Sequence, residues 1–129
     1  MGYYMDLVDS NFWIKKENEE KALNAIKEAV ADGRVNSWIN KEFVEKANDL
    51  QDAFLACRWD IEKYDDNNGY GDLYFDGEKL GNDYEFFCAI APYVGNNCYV
   101  QIRGEDGEMW RWVFRDGKCH EIYPTIIWD

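Results

Sequence analysis

The last third of the chain alternates apolar and polar residues with a period of two, and this pattern constrains the fold more than any other feature. The alternation runs over residues 98–102, 110–114 and 119–123. Turn sequences separate the three runs: Gly-Glu-Asp-Gly at 104–107 and Asp-Gly at 116–117. Period-two runs joined by such turns are typical of antiparallel hairpins. The pattern predicts a three-stranded meander whose middle strand packs one face on the core.

The preceding residues predict further strands and two to three helices. Residues 3–14 are typical of a strand interrupted by a turn at 9–11, and residues 59–75 of a hairpin reversing at Asn68-Gly69. Helical spacing of apolar residues predicts one helix ending before Gly33, and a second beginning after the cap Asn40 with a core stripe of Phe43, Ala47, Leu50 and Phe54. A short third helix is predicted after Asn82, which forms a possible capping box with Glu85.

This order of elements predicts an α+β fold. We expect an antiparallel sheet of about five to six strands that ends in the meander, with the helices packed on one face. The length of 129 residues and the hydrophobic content of 47% suit one domain over residues 1–129 that folds without disulfides or metal.

The charge balance bears on partners. Asp and Glu number 26 against 14 Lys and Arg, giving a net charge of −12. So acidic a chain is repelled by phosphate backbones and anionic membranes, whereas a basic protein surface attracts it. The alternative is that many bacterial cytosolic domains are simply acidic. With no apolar run near 18 residues and no signal-peptide pattern, we expect a protein of the bacterial cytoplasm.

No catalytic constellation is visible in the sequence. The single histidine, His120, follows Cys119, and neighbours on a strand point to opposite faces. Phosphate-binding glycine motifs are absent, and residues 65–72 lack the order of a calcium loop. The four cysteines, which have no CxxC spacing, are interpreted as reduced core residues. We therefore predict a non-enzymatic protein without cofactor or metal.

Acidic turns beside aromatic residues are the candidate partner-binding site. Carboxylates spaced like phosphates could occupy the nucleic-acid groove of a basic protein. The alternative is that turns are polar because they are solvated. The candidate residues lie around the two hairpins: Asp65, Asp66, Asp72, Asp76 and Glu78 in the first, and Glu105, Asp106, Glu108, Trp110 and Asp116 in the second.

Four segments carry a resemblance to a known group of proteins. They are GYYMDLVDSNF at the start, FDGEKLGND in the middle, and AIAPYV and GEDGEMWRWVFRDGK near the end. Together they resemble a family of small, uncharacterised acidic proteins of bacteria, phages and mobile elements. The resemblance implies an inhibitor of a host defence protein, of the anti-CRISPR type, that binds a nucleic-acid-binding effector.

Two other functions stay open at this stage. An aromatic pocket could sequester a nucleotide signal if Arg103, Arg111 and Arg115 line one cavity. A hydrolase would need two carboxylates about 5 to 9 Å apart in a closed cleft.

Overall fold

A computed structural model describes residues 2–64 and 69–129, and its architecture is α+β, as the sequence predicts. The strands are β1 (Met5–Asn11), β2 (Trp13–Lys15), β3 (Trp59–Lys63), β4 (Gly69–Phe75), β5 (Tyr99–Gly104), β6 (Met109–Arg115) and β7 (Lys118–Ile122). The helices are α1 (Glu19–Ala31), α2 (Lys41–Lys46), α3 (Leu50–Ala56) and α4 (Asp83–Ile90). Short 3-10 helices at Lys16–Asn18 and Ala91–Tyr93 precede α1 and follow α4.

The strands form two antiparallel sheets rather than one. The order is β1-β5-β6-β7 in the four-stranded sheet and β2-β4-β3 in the three-stranded sheet. The chain changes sheet at Phe12, whose buried ring contacts Phe54, Phe87 and Phe114. Residues 9–11, predicted to be a turn, lie in β1, where a bulge between Leu7 and Asp9 is the irregularity. Burial of the Phe12 ring therefore separates the strands at a position that local turn chemistry does not mark.

The predicted meander is confirmed as β5, β6 and β7. Arg115 pairs with Lys118 across a two-residue turn. That turn has positive φ angles of 53° at Asp116 and 75° at Gly117, which is the backbone that an Asp-Gly hairpin requires. Trp112 and Phe114 point from β6 into the core and are at most 1% exposed.

The second predicted helix is wrong as a single element. It divides into α2 and α3, because Ala47 has an extended backbone and the Asp49 side chain accepts a hydrogen bond from the Asp52 N–H at 2.8 Å. The division also turns Phe43 outward, where it is 63% exposed, and Val44 becomes the buried residue of α2.

The third predicted helix is confirmed, but its capping box is not. No side-chain capping bond forms at the start of α4. The Asn82 side chain instead accepts the N–H groups of Asn36 at 2.9 Å and Ser37 at 2.8 Å. Asn82 thus anchors the loop that follows α1.

One continuous hydrophobic cluster fills the space between the helices and the sheets. Phe87 of α4 lies at its centre, with its ring centroid 5.0 to 5.9 Å from those of five other aromatic rings: Phe12, Trp59, Phe86, Trp112 and Phe114.

All four cysteine thiols are free; Cys57, Cys98 and Cys119 are buried as predicted, and Cys88 is half-buried. No helix in the described part of the chain has the length and apolarity needed to cross a bilayer.

Candidate partner-binding surface

The predicted acidic residues lie on the surface but not in one place. Seven of the predicted acidic residues are exposed: Asp72, Asp76, Glu78, Glu105, Asp106, Glu108 and Asp116. The other two, Asp65 and Asp66, lie outside the described residues. The turn 105–108 joins β5 to β6, and Asp116 follows the other end of β6. Seven residues of strand place the two turns roughly 20 Å apart. Asp116 therefore does not share a surface with the 105–108 turn.

The N-terminal segment brings Glu78 and the 105–108 turn together. On one side, the Met5 N–H donates to the Glu78 carbonyl at 2.9 Å. On the other, the Glu105 N–H donates to the Tyr4 carbonyl at 2.9 Å, and the Tyr4 N–H donates to the Glu105 carboxylate at 3.2 Å. The two predicted acidic regions thus meet through residues 3–5, but only in part. Asp72 lies in β4 of the other sheet, and the Asp76 N–H bonds to the Arg58 carbonyl.

A fifth carboxylate, Glu121 of β7, belongs to this surface, which we name the acidic end: Glu78, Glu105, Asp106, Glu108 and Glu121. Glu121 accepts hydrogen bonds from Trp112 Nε1 and from the Tyr123 hydroxyl, each at 2.9 Å. The alternation of β7 puts Glu121 on the same face as Cys119 and Tyr123. The alternation of β7 was the one sequence signal that bore on Glu121, and it would look the same for a glutamate that only faces solvent.

Tyr3, which contacts the acidic end through Asp106, is the second residue that sequence reasoning missed. Its hydroxyl donates a hydrogen bond to Asp106. The ring lies against Gly104, where a Cβ atom would overlap the hydroxyl group, so that glycine permits the contact. The hydrogen bond to Asp106 raises the pKa of Tyr3 to about 12 and lowers the pKa of Asp106. Glu121 likewise raises the pKa of Tyr123.

No lysine or arginine in the described part of the chain forms an ion pair with a carboxylate of the acidic end. The ion pairs of the described residues are Arg34–Asp32, Lys46–Glu42 and Arg58–Asp83. None of them includes a carboxylate of the acidic end. Tyrosine and indole donors orient two of these carboxylates without cancelling their charge.

A cavity of about 290 Å³ opens at the acidic end. Its walls are Tyr3, Leu80, Glu108, Trp110, Glu121 and Tyr123. Trp110, predicted to be part of a partner-binding surface, is only 6% exposed and forms a wall of this cavity. Its indole Nε1 is buried and has no hydrogen-bond partner.

A neighbouring cavity of about 300 Å³ shares Trp110 and Tyr123 with the first. Arg111 is the one arginine of the three predicted phosphate-binding arginines that lines it; Arg103 and Arg115 do not. The Arg111 Nε donates to Gln101 at 2.8 Å, and its guanidinium lies 4.3 Å from the Tyr99 ring centroid. Three arginines in one cavity, the condition for the nucleotide site, are therefore not found here.

Cys119 and His120, the sequence neighbours considered for nucleophilic chemistry, differ in their exposure. His120 is exposed on β7 while Cys119 is buried, which agrees with the opposite faces that the sequence predicts. A hydrogen bond with Cys88 and, to a lesser degree, burial raise the pKa of Cys119. Among residues 2–64 and 69–129, no group of three or more His, Cys, Asp or Glu side chains is arranged to hold a metal ion.

Comparisons of this chain with protein-family models, with curated proteins and with solved structures found no match. The function is accordingly argued from the surface itself.

Proposed function

We propose that this protein is a non-enzymatic binding module whose acidic end docks on a basic surface of a partner protein. The observation that supports the proposal most is that five exposed carboxylates lie at one end of the four-stranded sheet and form no ion pair with a described residue. The resemblance noted in the sequence suggests the kind of partner: a nucleic-acid-binding protein of host defence, inhibited by a phage or mobile-element protein that mimics nucleic acid.

The electrostatic repulsion within such a surface favours the binding of a cationic partner. Like charges held close together destabilise the folded protein, and a cationic partner removes that cost. Complementary charge also accelerates association, and salt weakens it because the Debye length falls from about 10 Å at 0.1 M to about 3 Å at 1 M.

Capture from a bacterial lysate with two matched variants tests the proposal. The acidic-end variant carries Glu78→Gln, Glu105→Gln and Glu108→Gln, and the control variant carries Glu28→Gln, Glu45→Gln and Glu62→Gln. All six positions are exposed, and both sets change the net charge equally. We expect the wild type and the control to retain basic nucleic-acid-binding proteins at 50 mM salt and to release them at 500 mM. Equal capture by the acidic-end variant would contradict the proposal.

A nucleotide-binding role that uses Arg111 without Arg103 and Arg115 is the second candidate, and the cavity that Arg111 lines is the observation that favours it. A thermal-shift panel of cyclic nucleotides separates the two functions, because a ligand that binds only the folded state raises its melting temperature. Stabilisation that is lost in Arg111→Gln would support this candidate over the first.

A further inference from the structure

We propose that the cavity at the acidic end receives one basic side chain of the partner, a lysine or arginine. This inference rests on the proposed function and names the group that the partner inserts. Two features carry it: the aromatic walls and the two carboxylates of the cavity.

The walls have the composition of a cation site. Three aromatic residues, Tyr3, Trp110 and Tyr123, surround the space together with Leu80. Aromatic faces attract ammonium and guanidinium groups, and an apolar wall accommodates the methylene stem of a long basic side chain. No lysine or arginine is among the residues that line this cavity.

The carboxylates of the cavity have capacity to accept further hydrogen bonds. Each oxygen of Glu121 accepts one bond, from Trp112 or Tyr123, and a carboxylate oxygen offers two lone pairs. Glu108 also lines the cavity, and its side chain forms no ion pair with a described residue. Charge-assisted hydrogen bonds to a cationic head group are stronger than neutral ones. The carboxylates that would bind the cation therefore already line the cavity in the free protein.

Nitrogen-15 NMR of the six tryptophan indoles tests this inference, with Trp110→Phe assigning the Trp110 signal. The probes are N-acetyl-lysine methylamide, N-acetyl-arginine methylamide and the neutral N-acetyl-norleucine methylamide. We expect a saturable shift of the Trp110 indole with the lysine or arginine probe, and binding at least tenfold weaker in Glu108→Gln/Glu121→Gln. Equal effects of norleucine, or no saturable shift with either basic probe, would overturn the inference.

A capture experiment separates this inference from the function on which it rests. Tyr123→Ala removes one wall of the cavity and keeps every carboxylate, and Tyr74→Ala is its control, since the two tyrosines are 55% and 51% exposed. We expect Tyr123→Ala to reduce salt-sensitive capture at least fivefold and Tyr74→Ala to leave it unchanged. Full capture by Tyr123→Ala, with capture lost in the acidic-end variant, would refute the cavity's role while the proposed function stands.

Discussion

Asp83 is a buried carboxylate whose hydrogen bonds hold α4 against the start of β3. Its side chain is 2% exposed. Both carboxylate oxygens accept a hydrogen bond from Arg58 Nη2, each at 3.0 Å. Trp59 Nε1 adds a bond at 2.9 Å and the Gly81 N–H one at 2.8 Å. A buried charge is tolerated only when it is paired and hydrogen-bonded in this way. This carboxylate is structural, in contrast to those of the acidic end.

Replacing Asp83 by Ala should lower the free energy of unfolding by about 3 to 5 kcal/mol, because Arg58 is then left buried without its partner. Asp83→Asn should cost less, since the amide oxygen can still accept one of the donors. Urea unfolding measures both, with the exposed neighbour Glu85→Ala as control. A loss in Asp83→Ala no larger than in the control would show that the pair is not structural.

The hydrogen bond between Tyr3 and Asp106 predicts a defined alkaline pH dependence. The pKa of Tyr3 is raised to about 12 in the folded protein, whereas the unfolded chain titrates near 10. The stabilisation is therefore complete below pH 10 and is lost as the pH rises toward 12. Absorbance at 295 nm, taken as the difference between wild type and Tyr3→Phe, should titrate near 12, and near 10 in Asp106→Asn. A wild-type difference that titrates near 10 would argue against the bond.

Among the elements, the meander was predictable and the division of the strands into two sheets was not. Alternation and turn residues are local signals, and they place β5, β6 and β7 correctly. The break at Phe12 depends on packing against residues distant in sequence, which no local pattern records. The acidic end likewise combines a locally predictable part with a contact between residues distant in sequence. Its 105–108 turn was visible in the sequence, but Tyr3 reaches Asp106 across 103 residues.

Two short helices, α2 and α3, replace one predicted helix, and we expect the cap of each to contribute to the stability of the protein. Asp49→Ala removes the bond to the Asp52 N–H and should destabilise the protein by about 1 kcal/mol, within the range of roughly 0.5 to 2 for lost caps. Asn40→Ala should have a similar effect, because Asn40 caps α2 through the Phe43 N–H. Chemical denaturation compares both with the exposed residue Asn48. If Asp49→Ala matches Asn48→Ala, the division between α2 and α3 is not maintained by the cap.

At the scale of the whole molecule, five of the 26 acidic residues lie at the acidic end. The three ion pairs of the described residues lie away from the acidic end, so its charge is left for a partner or for salt to screen. The net charge of −12 alone would fit any acidic cytosolic domain. The position of Glu78, Glu105, Asp106, Glu108 and Glu121 at one end of the four-stranded sheet is what sets this surface apart.

Self-repulsion at the acidic end predicts a salt-dependent stability difference. In 20 mM NaCl the acidic-end variant should have a higher melting temperature than the control variant, because it relieves repulsion between neighbouring charges. At 0.5 M NaCl the difference should shrink, since screening removes the same repulsion in the wild type. Differential scanning calorimetry measures both. A higher melting temperature for the control variant at low salt would contradict the charge argument.

The binding of a deca-lysine peptide, mapped by NMR on the whole chain at 50 mM salt, tests the central claim most directly. The account predicts backbone shifts concentrated at residues 3–5, 78–80, 104–110 and 121–123. It also predicts binding at least tenfold weaker in the acidic-end variant and within twofold of wild type in the control variant. Shifts spread evenly over the surface, or equal weakening in both variants, would mean that the acidic end is only a solvated part of an acidic protein.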